Sequence, residues 1–241
     1  MTGNCWLILP TYNEAANLEA IVRASADVLS KAAPEQFKIL VVDDNSPDGT
    51  GEIADRLADE IAEVEVLHRQ TKDGLGPAYL AGFATALRGG ADYILEMDSD
   101  FSHDPADLAR LLEAAHGGGD LVIGSRYTSG GAVADWGLAR SAISRGGCRY
   151  AKLVLGVDVA DLTGGFKCFR RSTLEAIDLA SVRSAGYAFQ VELTYRVAKR
   201  GLRIVEVPIV FRDRRAGTSK MSAWIAAEAV WRVPQMRLRG R

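Results

Sequence analysis

From Trp6 to Gly124 the chain alternates five short, strongly apolar runs with four segments whose apolar residues recur at helical spacing, and this alternation restricts the fold more than any other property. Trp6–Pro10, Phe37–Asp43, Glu63–His68, Asp92–Met97 and Asp120–Gly124 read as strands. Glu14–Lys31, with Leu18, Ile21, Val22, Val28 and Leu29 as its apolar positions, reads as a helix, as do Thr50–Ile61, Gly76–Arg88 and Ala106–His116. Strands this apolar are buried on both faces, and a βαβα order supplies the helices that cover them. The predicted fold is therefore α/β: one domain with a mostly parallel central sheet and helices on both faces. At 241 residues the chain fits one large domain, or one domain with an appendage.

After Arg126 the pattern loosens. A Gly-rich stretch, Tyr127–Gly137, leads to a predicted helix over Ala139–Leu155, a turn at Thr163-Gly164-Gly165 and a strand over Phe166–Phe169. Helical pieces over Ser172–Ile177 and Phe189–Lys199 precede a strand pair within Arg203–Phe211. Arg212–Ser222 reads as a charged loop, and Ala223–Arg239 as a last helix with Pro234 inside it. Residues 1–222 are thus expected to form the main domain, and 223–241 an amphipathic basic segment.

Three of the predicted strands end on polar groups. Asp98-Ser99-Asp100 follows Tyr93–Met97, Asp43-Asp44-Asn45-Ser46-Pro47-Asp48-Gly49-Thr50 follows Val41-Val42, and the first strand ends in Pro10-Thr11-Tyr12-Asn13-Glu14. In open α/β sheets ligands bind beyond the carboxyl ends of the strands. A carboxylate pair there suits a hard divalent ion such as Mg²⁺, which completes its shell with substrate phosphates and water. Plainer readings exist for parts of these motifs. Acidic pairs are common in solvated turns; Pro10 stops a ladder, Asn13 caps the next helix with Glu14 in its first turn, and Asp48-Gly49 makes an Asx-type turn. None of these explains Thr11-Tyr12 or Asp43-Asp44, and three polar strand ends in one half-sheet point to a shared ligand.

The net charge of −2 hides an asymmetry: Arg196–Arg241 holds twelve Lys/Arg against three Asp/Glu, leaving −11 on residues 1–195. A basic end suits anionic surfaces or phosphate groups. A nucleic-acid-binding role would leave the acidic strand ends unexplained, and the −11 would repel phosphate backbones. Cys5, Cys148 and Cys168 are odd in number and widely spaced, which argues against a disulfide framework or a zinc site and fits a reducing compartment. No signal peptide is expected from Met1–Asn4, and no stretch approaches the roughly 18 to 20 apolar residues of a spanning helix, so a membrane role is expected to be peripheral.

Pro10–Glu14, Asp43–Thr50 and Asp98–Asp100 together resemble the inverting family-2 glycosyltransferases, whose fold is a single nucleotide-sugar-binding (GT-A type) α/β domain. Four later segments sharpen the likeness: Gly124-Ser125-Arg126-Tyr127, Asp161-Leu162-Thr163-Gly164-Gly165-Phe166, Gly186-Tyr187-Ala188-Phe189-Gln190-Val191-Glu192 and Gly217-Thr218-Ser219-Lys220-Met221-Ser222. With these the chain resembles the polyprenol-phosphate (dolichyl-phosphate) mannosyltransferases from about Leu7 to Ser222.

The resemblance implies transfer of mannose from GDP-mannose to polyprenyl phosphate with inversion, dependent on Mg²⁺ or Mn²⁺. It places Pro10, Tyr12 and Glu14 at the guanine and ribose, Asp44 at the base or ribose, and Asp98 and Asp100 at the metal and diphosphate. Arg126, Arg140 and Lys220 would contact phosphate charge, Lys220 from a loop that closes over the site. Some relatives carry Gln where this chain has Ser102, so the third protein ligand is left open. It also implies action at the cytoplasmic membrane face, where Trp224, Trp231 and the nearby Arg residues suit an anionic headgroup region; a core-packing helix is the other reading of the Trp residues. An integral membrane partner would reinforce so weak an attachment. A UDP-glucose-dependent polyprenyl-phosphate glycosyltransferase and a non-catalytic nucleotide-sugar-binding subunit are the alternatives. None of the three histidines reads as catalytic; Ser102-His103-Asp104-Pro105 reads as the start of a helix.

Overall fold

The computed structural model describes residues 3–182, 184, 186–213 and 231–238. The first half runs β1 (Cys5–Thr11), α1 (Leu18–Ala32), β2 (Phe37–Asp43), α2 (Thr50–Glu60), β3 (Val64–His68), α3 (Leu75–Arg88), β4 (Tyr93–Glu96), α4 (Asp107–His116) and β5 (Leu121–Ser125). The second half adds β6 (Ala132–Val133), α5 (Leu138–Leu155), β7 (Lys167–Arg170), α6 (Arg171–Ala176), α7 (Gly186–Lys199), β8 (Ile204–Pro208) and β9 (Val210–Phe211). A seven-stranded sheet has the order β3-β2-β1-β4-β7-β5-β8, and all its pairings are parallel except those of β7, which runs antiparallel to both β4 and β5.

Period-two alternation sorts the strand residues between two cores. Leu7 and Leu9 of β1 face Leu18, Ile21, Leu57 and Leu111, from α1, α2 and α4. Ile8 faces the other way, into a cluster with Tyr79, Phe83, Phe169 and Phe189, reached by α3 and α7. In α1 the buried residues Leu18, Ile21, Val22, Ser25 and Leu29 form one stripe, as helical spacing requires. Gly82 lets α3 lie against β1, because a Cβ there would fall 2.4 Å from the Ile8 Cγ2. All three cysteines are buried and unbridged.

Several expectations are corrected. Pro10 does not stop the ladder: β1 continues to Thr11, which pairs with Asp43 of β2. The β4 pairing has already ended at Ile8↔Glu96, so the missing N–H of Pro10 meets no break on that side. Asn13 is not a cap; it sits at φ +58°, its N–H donates to the Ser46 Oγ, and α1 begins five residues later, behind Asn17. Glu14 lies in the preceding turn, where its Oε2 accepts from the Asn17 Nδ2 at 2.9 Å. The expected strand pair in 203–211 is two strands in separate sheets: β8 beside β5, and β9 in a two-stranded parallel ribbon with β6, too short a strand to show in the sequence pattern. Of the last predicted helix, 231–238 is helical, with Val233 buried, Trp231 and Leu238 exposed, and Arg237 donating to the Val154 carbonyl of α5. The boundary at 222/223 lies outside the described residues. Among the described residues no helix is long and apolar enough to cross a membrane.

Candidate active site

The sheet order reverses direction between β1 and β4, the place where open α/β sheets form a crevice beyond their strand ends. A cavity of about 390 Å³ lies there, and its walls include Pro10, Tyr12, Glu14, Asp44, Asp98 and Asp100. The Ser99 hydroxyl ties the two strand ends together by donating to the Pro10 carbonyl at 3.1 Å.

Asp43 and Asp44 divide their work. Asp43 turns inward and accepts from the Ser46 hydroxyl at 2.6 Å and the Ser46 N–H at 3.2 Å, closing the loop after β2. Asp44 faces the cavity and pairs with Arg69. Burial pushes the Asp44 carboxyl above its ordinary value, against the pull of Arg69. The ammonium of Lys72 lies 3.7 Å from the centre of the Tyr12 ring, a cation–π contact that braces the ring at the cavity edge. Further along, Asp48 accepts from the Thr50 hydroxyl at 2.6 Å and the Thr50 N–H at 3.1 Å, the Asx-type turn expected at the start of α2.

The Tyr79 hydroxyl donates to the Asp98 Oδ1 at 3.4 Å. Burial and then the Asp98 charge push the Tyr79 phenol well up, so it stays a neutral donor. Phe101 adopts φ +62°, a left-handed conformation that costs roughly 1–2 kcal/mol for a residue with a Cβ. The Asp100 Oδ1 accepts from the Ser102 N–H at 3.0 Å across this tight turn, which holds the carboxylate at the cavity. Ser102 itself is buried, does not line the cavity, and its hydroxyl has no hydrogen-bond partner among the described residues. Among the described residues no group of three or more His, Cys, Asp or Glu side chains could hold a metal ion. Asp98 and Asp100 are the two carboxylates after β4 that line the cavity, a pair that would suit a hard ion taking its other ligands from phosphate and water.

Arg126 and Arg140 do not line the cavity. Arg126, 5 % exposed, forks onto Asp161 with Nε at 2.6 Å and Nη2 at 2.7 Å, and reaches the Thr163 hydroxyl at 2.8 Å. Burial opposes both charges; for Asp161 the Arg126 guanidinium outweighs it and holds the carboxyl below its usual range. Arg140, in the first turn of α5, stacks 4.0 Å over Trp136 and pairs with Asp213 at 3.3 Å. Lys220 lies outside the described residues. His103 is buried between Phe166 and Phe211, and burial pushes its pKa down to about 4, so it is neutral near pH 7.

Lys72, Tyr79, Thr163, Gly165, Gly186 and Gln190 also line or border the cavity without a role read from sequence. Lys72 looks like part of a solvated turn and Tyr79 like one more apolar position of α3. Thr163, Gly165, Gly186 and Gln190 fall inside singled-out motifs, but only the antiparallel course of β7 and the start of α7 bring them to the carboxyl end of β4.

Over its whole length the chain is 48% identical to a polyprenol monophosphomannose synthase of Mycolicibacterium smegmatis, covering 89% of that protein. It is 50% identical over 97% of its length to an undecaprenyl-phosphate mannosyltransferase of Micrococcus luteus, covering 94% of that protein. Among solved structures it is similar to glucosyl-3-phosphoglycerate synthase of Mycobacterium tuberculosis, with phosphoglyceric acid bound (TM-score 0.72, 19% identity, 97% of this chain and 80% of that one). The same enzyme bound to Mn²⁺, UDP and glucosyl-3-phosphoglycerate matches with a TM-score of 0.70 at 20% identity, covering 99% of this chain and 80% of that one. Residues 6–178, which carry β1 to β7 and every cavity residue before α7, match the model of glycosyl transferase family 2, and the chain belongs to that family.

Proposed function

We propose that the protein transfers mannose from GDP-mannose to polyprenyl phosphate, with inversion, giving polyprenyl-phosphate β-mannose. The observation that carries this reading is one cavity lined by both the nucleoside-type residues Tyr12, Glu14 and Asp44 and the carboxylates Asp98 and Asp100, in a chain about half identical to two enzymes named for this chemistry. Pro10, Tyr12, Glu14 and Asp44 would hold the guanine and ribose. Asp98 and Asp100 would hold Mg²⁺ or Mn²⁺ against the diphosphate. A divalent ion there stabilises the negative charge that develops on the leaving group.

The acceptor phosphate is anionic at neutral pH, so its oxygen attacks without a strong general base. The new bond forms between that oxygen and the anomeric carbon, the bond to the diphosphate breaks, and GDP departs from the opposite face. Arg140 and Lys220 would meet the phosphate charge, and Arg126, behind the cavity wall, would add its positive field there. In this reading Arg126 also shapes the wall through Asp161 and Thr163. Exposed Ile143 and Leu153 on α5, with Trp231 and Leu238, support docking at the cytoplasmic membrane surface, alone or beside an integral membrane protein.

The test is transfer of labelled mannose from GDP-mannose into organic-extractable lipid by purified protein with polyprenyl phosphate and Mg²⁺. Asp100→Ala and UDP-glucose run alongside. Metal-dependent mannolipid that the variant fails to make is the expected result. Product from UDP-glucose alone would overturn the sugar and nucleotide, and binding of GDP without any transfer would favour a non-catalytic subunit.

A further inference from the structure

The Gly186–Glu192 segment has no task in the transfer as described, yet it opens α7 at the cavity wall. Gln190 is 2 % exposed and lines the cavity. Lys167 of β7, wholly buried, donates its Nζ to the Gln190 Oε1 at 2.5 Å and to the Gln190 main-chain carbonyl at 3.1 Å. An ammonium can only donate, so this contact decides which end of the amide is which: the oxygen faces Lys167 and the Nε2 faces away. Behind Lys167 lies the buried Glu96 of β4, 3.7 Å away, its register partner across the β4–β7 ladder; burial opposes the charge on each, and each draws the other toward its charged form. The Gln190 Nε2 makes no hydrogen bond within 3.5 Å among the described residues; the buried Glu96 carboxylate is near enough to draw on one of its two N–H groups, which leaves the other for the cavity.

Gly165 shows where that amide stands. A Cβ on Gly165 would lie 3.5 Å from the Gln190 Nε2 and 3.9 Å from both carboxylate oxygens of Asp98. The missing side chain leaves a slot between a buried donor and the carboxylate assigned to the metal. Across the sheet the cavity presents the β1 and β2 ends first, then Asp98 and Asp100 after β4, then Gly165 and Gln190 beside β7. A nucleotide sugar has the same linear order: base and ribose, diphosphate, sugar. With the diphosphate at the carboxylates, the sugar falls at Gly165 and Gln190.

We propose that the Gln190 amide donates a hydrogen bond from its Nε2 to a hydroxyl of the sugar being transferred, and that Lys167 and Glu96 are positioning residues that hold the amide in this orientation. The inference rests on the reading of this cavity as a nucleotide-sugar site. It fills a buried donor that otherwise goes unsatisfied, and it makes the Gly186–Glu192 motif the part of the site that recognises sugar rather than nucleotide.

The test is calorimetric binding of GDP-mannose and of GDP, each with Mg²⁺, to the full chain and to Gln190→Ala and Gln190→Met. The Met variant keeps the volume of the wall should the Ala variant collapse. Loss of one neutral hydrogen bond predicts GDP-mannose affinity about 3- to 10-fold weaker with GDP affinity unchanged. The double variant Glu96→Gln/Lys167→Met removes both charges while keeping the packing. It should lower the ratio of GDP-mannose to GDP affinity in the same direction, which a purely structural loss would not do. Equal loss for both ligands, or no loss for either, in the Gln190 variants would overturn the proposal. Should the unaltered protein prefer UDP-glucose, the donor reading fails, and the same ratio measured with UDP-glucose and UDP tests Gln190 independently.

Discussion

The two sides of the cavity are held in place by different means. On the β1–β2 side the polar groups are set largely by near neighbours in the chain: Asp43 by Ser46, Asp48 by Thr50, Glu14 by Asn17. On the β4–β7–β5 side they are set by buried partners far along it: Arg126 by Asp161, and Lys167 by Gln190 and Glu96. A short turn survives the loss of one ligand group. A buried ion pair does not, because the remaining charge has no water to turn to. Substitutions of groups held by short turns, Asp100 with its Ser102 N–H among them, should therefore cost binding, and substitutions within the buried ion pairs stability.

The largest effect should come from Asp161→Ala, which strands Arg126 and should lower unfolding stability by about 3–5 kcal/mol in urea titration. A loss below about 1 kcal/mol would erase the distinction between the two sides. The pH dependence sharpens it. Because the Asp161 carboxyl is held below its usual range, its stabilisation is present above the unfolded value of about 3.9 and lost as pH falls through the lower folded value. The variant's stability should fall less steeply with acid than the wild type's over that window.

Next is Asp100→Asn, which can still accept from the Ser102 N–H but is a poorer cation ligand. The expected outcome is a drop of about 100-fold or more in kcat/KM with an almost unchanged melting temperature. Lys72→Met should follow, weakening GDP binding by about 2- to 5-fold through loss of the contact over Tyr12, again without a stability change. Smallest of all is Lys31→Ala, whose partner Asp27 is as exposed as itself; no shift in melting temperature beyond measurement error is expected, which sets the floor for the other comparisons.

The same division governs what could be read from sequence. In the first half, each strand is an apolar run and each helix a stripe, so element types and most boundaries to within two residues follow from periodicity. Phe37–Asp43 matches β2 end to end. The strand-end motifs were legible because a parallel sheet puts all carboxyl ends at one edge. What escaped depended on pairing between distant segments. The antiparallel sense of β7 leaves no trace in Lys167–Arg170, and a lysine there reads as a surface residue although it is wholly buried. The ion pair of Arg126 could not be read because its partner Asp161 lies 35 residues away, in a different motif. Asn13 reads as a cap because its left-handed backbone is imposed by Ser46, on the neighbouring strand's loop.

The position of β7 also bears on how the chain is made. Strands β3, β2, β1 and β4 can associate once synthesis has passed Glu96, but the outer edge of β4 has its partner only when Lys167–Arg170 has emerged, about seventy residues later. At bacterial to eukaryotic translation rates of about 5–20 residues per second, that is roughly 4–14 s. Through this interval the nascent half-sheet presents a row of open backbone hydrogen-bonding groups, the template on which neighbouring chains pair and aggregate. Slower elongation between residues 96 and 167 should lengthen that exposure and lower the soluble yield.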